Sequence, residues 1–109
     1  MDVLSVTTKW YECIANNTKV WEGRLNKGKY TFTIGSKIVI KCSEEPSRVI
    51  IKTVVDIKKY PTFKTGLIDL GWSRILPHVE TLMEAEAIYE NFYPVDEQNK
   101  YGIIFFRLF

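Results

Sequence analysis

The run from Arg48 to Tyr60 leaves this chain the fewest choices of fold. It holds Val49, Ile50, Ile51, Thr53, Val54, Val55 and Ile57. Side chains branched at Cβ lose freedom against a helical turn and pack well on a pleated surface, so the run reads as strand. Its length predicts a bent strand, or two strands joined at a bulge. The last segment, Tyr101 to Leu108, is apolar on both faces, the pattern of a strand in the middle of a sheet. A chain of 109 residues has room for one core, so residues 1–109 form a single domain.

The other elements follow from shorter signals. Residues 1–6 read as a strand. Thr8 is placed to cap a short helix that turns Trp10, Cys13 and Ile14 inward, and Asn16-Asn17 is a left-handed stop. A strand then runs to about Leu25, followed by a turn at Asn26 to Lys29. Ile38 and Ile40 alternate in a strand over 37–42, and Ser43 to Pro46 is a turn. Pro61-Thr62 opens a helix with Phe63, Leu67 and Leu70 inward, ending at Gly71. Leu76-Pro77 is an extended connector. Thr81 and Glu84 make a capping box. The helix behind it spaces Ala85, Ile88, Tyr89 and Phe92 for burial and stops at Pro94. Asp96 to Asn99 has turn composition. This mainly β, α+β pattern predicts a small, partly closed β-barrel of five to six strands with about three short flanking helices. Curling of the sheet removes exposed edges.

Composition excludes more than it assigns. No apolar run is long enough to span a bilayer, and the start lacks a signal peptide. An intracellular protein, cytoplasmic or nuclear and with no membrane partner, is the expectation. Cys13 and Cys42 lie far apart, and with the lone His78 they complete no usual zinc set, so neither disulfide, metal nor cofactor is expected. The net charge of +2 announces no global basic field. The charges are nonetheless segregated. Lys37, Lys41, Arg48, Lys52, Lys58, Lys59 and Lys64 make the middle basic. Glu80, Glu84, Glu86 and Glu90 make the late helix acidic, a face suited to a protein partner.

The residues with most chemical content are Lys19, Glu22 and Arg24. Alternation along a strand puts Glu22 and Arg24 on one face and Trp21, Gly23 and Leu25 on the other. Lys19, at the strand entrance, can swing to the Glu22 side. Trp21 is expected to be buried and Glu22 not. Two cations around one carboxylate suit a ligand that both donates and accepts hydrogen bonds, although ordinary surface ion pairing gives the same spacing.

In this order, the chain resembles the ASCH domain family, a branch of the PUA-like β-barrels. The family motif G-x-K-x-x-E-x-R stands here as Asn17-x-Lys19-x-x-Glu22-x-Arg24, with asparagine in place of the leading glycine. The Gly-Asp pair found downstream in the family is Gly35-Ser36 here. Phe63, Leu70-Gly71, Ile75-Leu76-Pro77, the capped helix ending Tyr89 to Tyr93, and Tyr101-Gly102 with the final strand follow the family's order. The resemblance implies a barrel with a cleft lined by Lys19, Glu22 and Arg24. It also links the domain to RNA or single-stranded nucleic acid, or to a modified nucleoside.

Two functions follow from that resemblance. In a binding module, Lys19 and Arg24 contact phosphate or a base edge and Glu22 accepts from an amine or ribose hydroxyl. Trp72, just past the helix stop, is the candidate for base stacking, with Trp10 and Trp21 assigned to the core. Lys58, Lys59 and Lys64 would widen the basic track. In the alternative, a small amidohydrolase acting on acetylated cytidine or a related nucleoside, Lys19 matches the family's lysine. Glu22, however, occupies the position of its threonine. His78 falls about where its glutamate stands, with Glu80 two residues on. A carboxylate beside Lys19 is expected to raise the lysine's pKa and hold it protonated near neutral pH, which makes it a worse general base. Glu22 or His78 acting as general base toward water is the recast form of that mechanism.

Overall fold

The computed structural model describes residues 2–109; position 1 of the first expected strand lies outside them. Five strands form one sheet: β1 (Asp2–Val6), β2 (Trp21–Leu25), β3 (Lys37–Cys42), β4 (Val49–Tyr60) and β5 (Ile103–Leu108). Their spatial order is β1-β3-β4-β5-β2. β1 runs parallel to β3, and the other pairs are antiparallel. The sheet curls into a half-barrel with β1 and β2 as its edges. Five helices accompany it among the described residues: α1 (Thr8–Ala15), α2 (Phe63–Leu70), α3 (Trp72–Ile75), α4 (Leu82–Phe92) and α5 (Val95–Tyr101).

β4 is the long strand read from its branched residues, and it carries the bulge, a register shift between Val54 and Asp56 against β5. The extra residue raises local twist and lets one strand serve both halves of the curl. β5 lies inside the sheet, and alternation sends its side chains into two cores. Ile104, Phe106 and Leu108 join Leu4, Ile14, Ile38, Ile40 and Val54 in the first. Ile103 and Phe105 join Trp21, Phe63, Leu67 and Ile75 under α2, α3 and α4 in the second.

Phe105 explains two glycines. Gly23 is its cross-strand partner, and a Cβ there would stand 2.5 Å from the Phe105 ring. Gly66 of α2 meets the same ring from the other side, and a Cβ there would collide as well.

Several local expectations are corrected. Thr8 does not cap α1. The N-cap is Thr7, without a side-chain bond, and the Thr8 amide donates instead to the Glu44 carboxylate at 2.9 Å. The Thr81 hydroxyl accepts from the Glu84 amide at 3.1 Å, but the Glu84 carboxylate accepts from the Glu80 amide rather than that of Thr81. Half of the box therefore moves back one residue. Phe92 is exposed. The polar turn over 96–99 is part of α5, tied to its surroundings by its own Gln98, which accepts from the Phe63 amide and donates to the Tyr93 carbonyl. The left-handed Asn17 (φ 65°) and the Thr62 cap of α2 are as read. Both cysteine thiols are buried and free.

Candidate functional site: a cleft at the seam of the barrel

β1 and β2 do not pair, so the half-barrel has a seam. A side chain bridges it: Arg24 of β2 donates through Nη2 to the Ser5 carbonyl of β1 at 2.9 Å. Beside this bridge opens a cleft of about 190 Å³. Lys19, Glu22, Gly23 and Arg24 form one wall, Ser5, Val6, Thr7 and Trp10 a second, and Ile88, Tyr89, Phe92 and Tyr93 of α4 a third. The three charged residues singled out in the sequence therefore converge.

Lys19 is fixed at both ends. The end of α1 wraps so that the Thr18 and Lys19 amides both donate to the Cys13 carbonyl. The Lys19 ammonium, 3% exposed, donates to the Trp21 carbonyl at 2.7 Å and the Ile75 carbonyl at 2.5 Å, stitching β2 to the end of α3. It also lies 5.7 Å from the Trp10 ring centre. Burial drives its pKa below the ordinary 10.5 and outweighs the opposite pull of Glu22. Glu22 does raise the Lys19 pKa, as expected, but desolvation is the larger effect and the net shift is downward.

Glu22 is 6% exposed, against the expectation that it faces solvent. The face assignment stands, but the charged face of β2 turns into the seam, where α4 and β1 cover it. Oε1 lies 3.6 Å from Arg24 Nε, while Oε2 is buried and without a hydrogen-bond partner. Burial opposes the Arg24 charge, but Glu22, Tyr30 and Tyr93 around it raise its pKa on balance. The Tyr89 hydroxyl is a second buried group that makes no close hydrogen bond, with the Gly23 backbone nearby. Burial and the nearby Glu22 raise its pKa well above the ordinary value. Buried polar groups are nearly always paired, so two orphans lining one cleft single it out as the candidate site.

The other sequence candidates lie elsewhere. Trp72 is half-buried against the second core, and the tryptophan at the cleft is Trp10. Lys58 and Lys59 are exposed on β4 and Lys64 is exposed on α2, away from the cleft walls. His78 is exposed with φ 72°, and neither it nor the exposed Glu80 lines the cleft. The residues missed are Tyr89, Tyr93 and Phe92. Their helical spacing reads as core, and the exposure of Phe92 appears only in the structure. Among the described residues no group of three or more His, Cys, Asp or Glu side chains is placed to hold a metal ion, and no helix is long and apolar enough to cross a membrane.

Lys19 also predicts a pH effect. Its folded pKa lies below the unfolded value, so between the two the unfolded chain binds more protons and stability rises with pH. Above about pH 10, Tyr89 and Tyr93, whose folded pKa values are raised, act with the opposite sign. Denaturant titrations below that pH should show a positive slope that Lys19→Met flattens. An unchanged slope in the variant would mean that Lys19 is not the group responsible.

No family model and no curated protein matches the chain in sequence. Solved structures match it in fold. The chain is similar to a crystal structure of hypothetical protein PH0355, with a TM-score of 0.86 and 25% identity over 97% of this chain and 94% of that one. It is similar to the solution structure of PF0455 from Pyrococcus furiosus, at TM-score 0.75 and 25% identity over 98% and 94% of the two chains. It also matches the crystal structure of ASCH from Zymomonas mobilis, at TM-score 0.71 and 17% identity, covering 98% of this chain and 65% of that one. The chain has an ASCH domain fold, a small α+β architecture of the PUA-like type.

Proposed function

We propose that this chain is an RNA- or nucleotide-binding module whose seam cleft takes one nucleobase. The observation that carries this reading is the unpartnered pair in the cleft, Glu22 Oε2 and the Tyr89 hydroxyl. A base edge offers amino or imino donors to the carboxylate and acceptors to the phenol and to Arg24. The aromatic walls supply faces on which a ring stacks. Size supports the same scale of ligand. Sites for drug-sized molecules hold ~300–1,000 Å³, so a cleft of about 190 Å³ suits one ring system. Titration of the four ribonucleosides and a short single-stranded RNA, followed by intrinsic tryptophan fluorescence, should show saturable binding of at least one base. No signal for any of them at low salt would remove the reading.

A second reading, amide hydrolysis on acetylated cytidine, gains from one observation: Lys19 is buried with a lowered pKa, as a catalytic lysine needs. Against it, the Lys19 amine is committed to two backbone carbonyls, and the family's threonine position holds Glu22. Little or no deacetylation is therefore expected of the unmodified protein. Turnover abolished by Lys19→Ala would put the enzyme first. Turnover that survives Lys19→Ala but fails in Glu22→Gln would assign Glu22 as a general base acting on water.

A further inference from the structure

The cleft is one of three adjoining hollows. A second, of about 320 Å³, shares Ser5 and Arg24 with it. A third, of about 250 Å³, shares Phe92 and Tyr93 with it. These two share Lys29 and Tyr30 with each other. The hollows therefore lie side by side about the Arg24–Ser5 bridge and the Phe92–Tyr93 end of α4, and the loop between β2 and β3 contributes Lys27, Lys29, Tyr30 and Phe32 to the outer two.

That loop is anchored. The Asn26 amide donates to the Gly102 carbonyl at 2.9 Å. Phe32 is buried 4.5 Å from the Phe106 ring, and Tyr30 lies 5.5 Å from the same ring. On this fixed loop stand two exposed lysines, Lys27 and Lys29. Their ammonium groups lie 5.1 Å from the Tyr101 ring centre and 5.3 Å from that of Tyr30. The outer hollows also hold two carboxylates, Asp2 in the one that shares Arg24 and Glu97 in the other.

The geometry points to a polynucleotide rather than a free nucleoside as the ligand, with one base in the cleft and its flanking phosphates on Lys27 and Lys29. This rests on the nucleobase reading of the cleft. It moves the phosphate track away from Lys58, Lys59 and Lys64, none of which lines the three hollows. Phosphates fix the register of a bound strand while the base carries the specificity. A cleft sized for one ring, beside hollows walled by exposed lysines, has that division of labour.

The test compares a ribonucleoside with a single-stranded RNA trinucleotide carrying the same central base, across a salt series. Three proteins are used: wild type, Lys27→Ala/Lys29→Ala, and Lys58→Ala/Lys59→Ala. Wild type should bind the trinucleotide more tightly than the nucleoside. Each phosphate neutralised on a single strand contributes about −0.7 to the log–log salt slope, so losing both loop lysines should flatten it by about 1.4. Nucleoside affinity should not change in that variant, which also confirms its fold. The β4 pair should behave as wild type. A wild-type slope in the loop variant, or loss of slope in the β4 variant, would overturn the track. Nucleoside binding with no gain for the trinucleotide would refute the track and leave the cleft standing. Binding of neither ligand would remove the cleft reading, and the track with it.

Discussion

Trp21→Ala should lower the free energy of unfolding by about 3–5 kcal/mol. Trp21 is 4% exposed and sits in the second core with Phe63, Leu67, Ile75 and Ile103. Its ring fills the junction of β2 with the helices over the sheet, and truncation leaves a cavity that these elements cannot close. Its own carbonyl is one of the two that hold Lys19, so movement of the strand here would also loosen the buried ammonium. Chemical denaturation with an unchanged m-value reads the loss directly. A loss below about 1 kcal/mol would mean that the helices do not depend on this ring.

Glu22→Gln should do the reverse, sparing the fold and removing binding. The substitution keeps the shape and exchanges a charged acceptor for a neutral amide. A hydrogen bond to a charged group contributes about 1.5–3 kcal/mol, so affinity for the preferred base should fall roughly 10- to 100-fold. The folding cost should stay below that of Trp21→Ala, because glutamine keeps the side chain's shape and Arg24 keeps its bond to the Ser5 carbonyl and some contact with water. Isothermal titration and denaturation of the same sample separate the two effects. Destabilisation as large as that of Trp21→Ala would show that Glu22 supports the seam and does not wait for a ligand.

The sheet was legible because its evidence is local. Branched residues in β4 and double-sided apolarity in β5 carry the signal within the segment, and the bulge follows from length alone. The shortest helices were not legible. α3 is only four residues long, and α5 reads Val-Asp-Glu-Gln-Asn-Lys-Tyr, a polar stretch whose helix is secured by Gln98 bonds to Phe63 and Tyr93. At the site, spacing gathered Lys19, Glu22 and Arg24 on one face. It was silent on what would cover that face, since Ser5 and Tyr89 arrive from distant parts of the chain. The same silence exchanged the roles of Trp10 and Trp72. It also made Glu22 the dominant influence on Lys19, when burial, which only the fold decides, is the larger one.

The Phe105 ring, held between Gly23 and Gly66, has a consequence for how this sequence can vary. Three positions scattered across the chain form one unit of inheritance. An alanine at 23 or at 66 needs a smaller side chain at 105, and a smaller side chain at 105 opens a void that only larger neighbours fill. No single step between these states is neutral, so drift must pass through a destabilised intermediate or through paired changes. Position 23 also lies between Glu22 and Arg24 on the same strand. The freedom of the binding wall to diversify is therefore tied to a packing constraint on the opposite face of the sheet.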